Sequence, residues 1–461
     1  RRSCYVTLAT EKCRDTDRLI ARAQMLTRIK IKNYKSLQEV DVYLNKLCVL
    51  FGSNAAGKSN FLDSLHLVSQ IVSKRNLKEA FEAPYRGAPL ESFAFPDKGV
   101  KGLLEQESAH LRFEIDVSLS KNVIESVNQQ IVEMRRGVST PEQYQKTSAK
   151  QSSLVRETSL RYCIEVEILT KSGILRVYDE YLAALNQRGE PTRARKPFIE
   201  KEGDKLVLRM ERQSHPTYYE TRMDHSLISQ PLYPPHYPHV VALREELANW
   251  FFYYFEPRER MRAPNPVKEV RHIGLMGEDL AAFLNTLKSE EPMQFRAVEK
   301  SINMLIPSIT GIDVHINEIG QVELYVRERE TLIPATLVSE GTLRLIGLLA
   351  LQGVKMPPTL IGFEDPENGV HPRRISLIAE FLKNKADRGD TQMIVTTHSP
   401  ILPDMIPDEY LFVVKKEDRK TSIQPLSYEG SLFRRDKVKK ELDDQDDISK
   451  ERMLLRGDFD A

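Results

Sequence analysis

Three stretches of the chain predict an α/β fold built around a parallel sheet. Leu47–Phe51, Thr359–Phe363 and Gln392–Thr397 are short, nearly unbroken apolar runs, the pattern of strands buried on both faces. The first is followed directly by a glycine-containing loop and then by a helical pattern with Phe61, Leu62, Leu65, Val68, Ile71 and Val72 on one face. The other two end in a pair of acids and in a histidine, at strand tips where open α/β sheets place their ligands.

Residues 1–24 show no clean period, and Met25 opens a regular pattern, so Met25 is the expected natural start. From Leu26, the alternation of Ile29 and Ile31, then Val40, Val42 and Leu44, predicts two half-buried strands around the turn Asn33-Tyr34-Lys35-Ser36. The loop after Phe51 reads Gly52-Ser53-Asn54-Ala55-Ala56-Gly57-Lys58-Ser59, which fits G-x-x-x-x-G-K-[ST] without a mismatch. It stands between a strand and a helix, the context this phosphate-binding motif requires. Gly52 and Gly57 let the backbone curl so that successive N–H groups face phosphate oxygens. The helix start, with Asn60 in its first turn, adds the positive end of its dipole. Lys58 is expected to reach the β- and γ-phosphates of ATP, and the Ser59 hydroxyl to ligate Mg²⁺.

Beyond the loop, residues 75–104 are rich in Pro and Gly. Alternation predicts strands at Leu111–Leu119, Leu160–Leu169, Ile174–Tyr181 and Lys205–Met210, with a helix carrying Val123, Ile124, Val127, Ile131 and Met134 among the polar residues 121–155. Ser229–Val240 holds four prolines and is predicted to be irregular. Trp250-Phe251-Phe252-Tyr253-Tyr254-Phe255 reads as core packing rather than a ligand site. Helices follow at Glu278–Lys288 and Gln294–Leu305, strands at Ile312–Ile316 and Val322–Val326, and two more strands within 410–427. Between residues 60 and 337 no heptad pattern persists beyond about two repeats, which excludes a long coiled-coil arm.

The C-terminal half holds the complement of a hydrolytic site. Ser339-Glu340-Gly341-Thr342 precedes an apolar helical run, so Ser339 and Gly341 are either a plain helix cap or a second anion site. Glu364 and Asp365 close the Thr359–Phe363 strand. The first is expected to hold Mg²⁺ through water, and the second to orient and deprotonate an attacking water. His398, at the tip of the third strand, is placed to contact a γ-phosphate.

Bulk composition narrows the rest. At 461 residues the chain is too long for one core, and it is 41% hydrophobic and 29% charged. A net charge of +1 supplies no global attraction for nucleic acid, so DNA contact would need local patches, for which Arg193, Arg195 and Lys196, Arg258, Arg260 and Arg262, and Arg434, Arg435, Lys437, Lys439 and Lys440 are the candidates. Acids interleave them, and a solvated basic face is the plainer account. Cys4, Cys13, Cys48 and Cys163 form no C-x-x-C pair, which favours a reducing cytoplasm and no zinc site. His225, His236 and His239 have no zinc spacing and are expected at the surface. No apolar run reaches membrane length and no signal-peptide pattern opens the chain, so no membrane partner is expected.

In their order these motifs resemble ABC-type ATPase heads, and more closely the RecF-like predicted ATPases, relatives of the structural-maintenance-of-chromosomes heads. Ile29–Leu37 is similar to their first strand and turn, Ser339–Arg344 to their variant signature, Glu364–Pro372 to their Walker B and its tail, and Thr396–Pro400 to their histidine switch. Arg86-Gly87, Trp250–Pro257 and Gly277–Leu280 also fit. The resemblance covers roughly residues 25–430. It implies an ABC-type head with a mixed central sheet, an antiparallel β subdomain and an inserted α/β region. The lobes would be 25–120 and 271–430, around an inserted β/helical region at 121–270, with a charged tail at 431–461. It further implies a head-to-tail homodimer in which Ser339 and Gly341 cap the nucleotide of the partner, with Tyr34, Lys35 and Ser36 near the nucleotide. Two departures stand out: such families carry Asp-Glu or Glu-Glu where this chain has Glu364-Asp365, and the glutamine of the Q-loop has no clear place. An Asp base is one methylene short, which predicts slow turnover.

Two functions follow as expectations. One is an ATP-gated dimer acting on DNA in repair or recombination. The alternative is the ATPase subunit of an anti-phage defence or toxin module that regulates a partner effector protein. A transporter motor is disfavoured, because the signature lacks paired glycines and the long middle insertion is foreign to that class.

Overall fold

The computed structural model describes residues 25–82, 87–136, 154–211, 215–354 and 356–426. The extension at 1–24, Arg86 and the basic stretch from Arg434 to Lys440 lie outside the described residues. The chain forms two compact units. One comprises residues 25–46, 63–250 and 416–423 and the other 47–62, 251–415 and 424–426, within the described ranges. The division differs from the expected lobes, because the strands at 26–43 pair into the same sheet as those at 108–220.

The first unit is organised on an antiparallel sheet of eight strands in the order Leu37–Tyr43, Leu26–Tyr34, Ser108–Ser118, Ser159–Leu169, Ile174–Ala184, Ile199–Glu202, Lys205–Leu208 and Thr217–Glu220. Register follows the apolar alternation: Leu111, Phe113, Ile115 and Val117 stand opposite Val166, Ile164, Tyr162 and Leu160, all buried. The opposite pleat carries ion pairs, with Arg28 on Asp41 at 2.6 Å and Arg161 on Asp116 at 2.6 Å. The helices Lys121–Arg136 and Pro238–Ala248 belong to this unit and are joined by a 2.7 Å bond from Gln130 to Glu245. The stretch predicted to be irregular therefore ends early. Pro238 occupies the first turn of a helix, where its missing N–H has no partner to lose.

The second unit holds the parallel sheet. Five of its strands lie in the order Trp250–Tyr253, Leu360–Glu364, Gln392–Thr396, Leu47–Phe51 and Leu411–Glu417. The three central strands are parallel and every residue in them is buried. The aromatic run packs as expected: Phe255 meets Phe363 edge-on at 5.0 Å, and the Phe252 ring lies where a Cβ on Gly362 would come within 2.3 Å. Helices Leu280–Glu290, Pro292–Leu305, Glu340–Ala350 and Ile375–Asp387 bury their apolar faces in the core of this unit. A small antiparallel sheet of Asn265–Pro266, Ile309–Ile316, Gln321–Glu328 and Thr331–Pro334 completes it. The longest helices among the described residues, Lys58–Ser73 and Lys121–Arg136, have 16 residues each.

Candidate functional site

Strand register gathers the motifs. Glu364 pairs with Thr396, and Thr396 with Leu50, so three strands end at one level. The loops after them, 52–57, 365–370 and 397–399, leave the same carboxyl edge of the sheet. Because the strand interiors are wholly apolar contacts, the polar residues that follow are the first groups free to do chemistry there.

The phosphate loop takes the curl that the motif demands. Gly52 has φ +149°, Ala55 +63° and Gly57 +110°. A Cβ on Gly52 would stand 2.1 Å from the carbonyl oxygen of Val414, so close backbone approach as well as conformation requires glycine. Lys58 opens the following helix and is buried. Its Nζ donates to the carbonyls of Gly52 at 2.8 Å and Ser53 at 2.9 Å. Burial lowers its pKa to about 8, against the pull of Asp365, Glu367 and Glu364.

Ser59 Oγ donates to Glu364 Oε1 at 2.7 Å. Two oxygen groups far apart in sequence thus meet at the loop's mouth, a donor set suited to a hard cation that keeps water and substrate phosphates as its other ligands. Among the described residues no group of three or more His, Cys, Asp or Glu side chains could hold a metal by itself. Asp365 has left-handed backbone, φ +47°, a region that Asp tolerates better than longer acids. Its N–H donates to Thr396 O at 3.1 Å, and its Oδ2 lies 3.7 Å from Nε2 of a half-exposed His398.

The signature residues are elsewhere on this unit. Ser339 is exposed and caps the Glu340–Ala350 helix, with its hydroxyl bonded to Thr342 N at 3.3 Å and Thr342 Oγ1 at 2.8 Å. The plain cap is thus realised within the chain. Gly341 is buried, and a Cβ there would meet Gly369 O at 2.3 Å, so the helix start abuts the loop that follows the acid pair. In the first unit, Tyr34 is buried against Phe113, Lys35 is paired with Asp63 at 2.8 Å, and the Ser36 hydroxyl accepts from Thr421 at 2.8 Å.

Several residues that pattern reading passed over matter to the site. Glu367 is buried two residues after Asp365 and accepts from Thr397 Oγ1 at 2.6 Å. Arg344, on the signature helix, is buried with no partner for Nε and one terminal nitrogen among the described residues, and burial lowers its pKa. Nothing in the letters P-E-N-G or T-L-R-L signals burial. Among the basic candidates, Arg258 is bonded to Glu340 at 2.7 Å, Arg262 to Val338 O at 2.6 Å, and Arg195 lies 3.8 Å over the Phe198 ring. His239 departs from expectation. It is buried, with Nδ1 on Glu211 at 2.6 Å and Nε2 accepting from the amides of Arg156 and Glu157, because it lies on the inner face of the Pro238–Ala248 helix.

A phosphate loop and an acid-tipped strand on one parallel sheet, with the histidine-tipped strand between them, define a P-loop ATPase domain. The chain belongs to the family described as "AAA domain, putative AbiEii toxin, Type IV TA system", whose model matches residues 169–404. A second model, described as "AAA ATPase domain", matches residues 25–214. No curated protein matches the chain in sequence. Among solved structures, it is similar to an Smc head bound to the C-winged helix domain of ScpA, at 11% identity and a TM-score of 0.47, over 88% of this chain and 99% of that one. An SMC head domain from Thermotoga maritima matches at 14% identity and a TM-score of 0.39, over 87% and 99%. An Smc head with an extended coiled coil bound to the C-terminal domain of ScpA, derived from Pyrococcus furiosus, matches at 10% identity and a TM-score of 0.43, over 89% and 98%. No described helix is long and apolar enough to cross a membrane.

Proposed function

We propose that this protein is a Mg²⁺-dependent ATPase that closes on ATP as a head-to-tail dimer and uses the closure to control a partner effector. The observation that carries the hydrolytic reading is the 2.7 Å bond from Ser59 to Glu364, across 305 positions of sequence. Lys58 provides the cation for the β- and γ-phosphates, and the curled loop 52–57 provides their N–H donors. A magnesium ion held at Ser59 and Glu364 would neutralise charge building up on the phosphate oxygens. Asp365 orients the attacking water and takes its proton, while His398 faces the same carboxylate from the neighbouring strand. Exposure of Ser339, bonded within its own cap among the described residues, fits a residue that completes a partner's site. The effector reading is supported by the toxin–antitoxin wording of the family description. The DNA reading has less support, because Arg258, Arg262 and Arg195 are engaged by their own chain.

The decisive measurement is size and ATP turnover of the wild-type and Asp365→Asn proteins, with Mg²⁺ and with a chelator. Expected are Mg²⁺-dependent turnover in the wild type and a stable ATP-bound dimer without turnover in the variant. An Asp365→Asn protein with wild-type turnover removes Asp365 from the base role. A wild type that neither binds nor hydrolyses ATP ends the whole reading.

A further inference from the structure

We propose that Glu367 is a positioning residue of this centre, a buried carboxylate that clamps the loop carrying Asp365 to the loop carrying His398. The inference rests on the hydrolytic reading above. A third acid after a Walker-type pair is expected to sit in solvent; this one is buried, 7% exposed. Its Oε1 accepts from Thr397 Oγ1 at 2.6 Å and from the Ser399 amide at 3.2 Å. The Ser399 amide also reaches Thr397 Oγ1, at 3.0 Å. One carboxylate oxygen therefore holds both neighbours of His398. The histidine ring is half-exposed, with its Nε2 3.7 Å from Asp365 Oδ2. The backbone on either side of it, held by Glu367, contributes to setting that distance.

The two loops are already tied once, upstream, by the bond from Asp365 N to Thr396 O. Thr397 is anchored from behind by its N–H on Leu50 O at 3.0 Å. Glu367 adds the downstream tie, so the segment 396–399 is pinned at both ends with His398 between. The clamp is not a saturated one. Oε2 is buried and has no hydrogen-bond partner among the described residues. Desolvation accordingly raises the Glu367 pKa, against hydrogen bonds from Thr397 and from the backbone at Glu367, Ser399 and His398. A half-satisfied buried carboxylate is an expensive way to hold two loops together if stability is its only purpose. It is an effective way to fix a catalytic distance, since small misplacement of a reacting group lowers rates strongly.

The test uses the full chain with Glu367→Ala, Glu367→Gln and Thr397→Val. Amide exchange over 396–400 is read first, because it needs no turnover. It should rise roughly ten- to hundredfold in Glu367→Ala, the loss of a charge-assisted bond, and change little in Glu367→Gln, which keeps an acceptor. Turnover should then fall roughly tenfold or more in Glu367→Ala, with ATP affinity within about threefold of wild type, because the clamp acts on the hydrolytic step and not on phosphate binding. Glu367→Ala combined with His398→Ala should be no slower than His398→Ala alone. Unchanged exchange in Glu367→Ala and Thr397→Val overturns the clamp, as does a double variant whose losses multiply. If Glu367→Ala fails to fold, Thr397→Val carries the same readouts. A wild type without turnover sinks the hydrolytic reading and leaves exchange to decide the clamp.

Discussion

Glu180 in the first unit and Glu367 in the second are both carboxylates withdrawn from solvent, and burial raises the pKa of each. Glu180 is saturated. It accepts from Tyr162 OH at 2.9 Å, Ser226 Oγ at 2.6 Å and the Leu227 amide at 2.7 Å, with both oxygens engaged. Glu367 is satisfied on one oxygen among the described residues. The sheets around them differ in the same sense. The first unit's long antiparallel strands interleave buried and half-buried residues, so charge is distributed along a face. The second unit's central parallel strands are buried throughout with apolar interiors, so charge is concentrated at their ends. A saturated acid in the first setting is a staple. The unsaturated one at the strand ends of the second is the clamp proposed above, tying the loops of Asp365 and His398.

The largest expected effect lies at the strand ends. Asp365→Asn should lower turnover roughly 10³-fold while ATP binding persists, the loss usual for a general base. Glu364→Gln should lower Mg²⁺ affinity roughly 10²-fold, seen as a rightward shift of the Mg²⁺ dependence of turnover. The contrast with the first unit is sharpened by Glu180→Ala. That change strands three donors and should destabilise the protein by about 2 kcal/mol in denaturant titration. Turnover per folded molecule should remain that of the wild type. A Glu180→Ala protein that folds normally but turns over slowly would erase the distinction between a staple of the fold and a clamp of the site.

Much of this was legible in the letters, for physical reasons that can be named. The Leu47–Phe51 run, the glycine loop and the Lys58 helix are contiguous, so their local pattern carries the whole argument. The acid pair and His398 were readable because a parallel strand buried on both faces has to end abruptly in polar residues. Thr331–Pro334 and Ile199–Glu202 were not readable, being four-residue strands whose pairing is decided by neighbours. Glu367 was visible only as a letter. Its burial depends on Thr397 and Ser399, thirty positions on, which no local period reports. The burial of His239 was missed for the same reason, since Glu211 and residues 156–157 supply its partners from distant segments.

The smallest effect is a proton count, and it concerns the lysine of the phosphate loop. Lys58 is held at a pKa of about 8 by burial. Contact with phosphate oxygens favours its charged form, so the pKa rises when ATP binds. Below pH 8 the free protein already carries the proton, and affinity should be flat with pH. Above pH 8 binding has to draw a proton from solution, so affinity should fall by up to roughly tenfold per pH unit until the bound-state pKa is reached. Calorimetry in two buffers of different ionisation enthalpy reads this directly: uptake of roughly 0.1 proton per ATP at pH 7 should grow to roughly 0.9 at pH 9 if the bound amine returns to its ordinary value. Uptake that stays near zero at pH 9 would mean that Lys58 is fully charged before ATP arrives. Its burial against the carbonyls of Gly52 and Ser53 would then count as ordinary solvation by the loop.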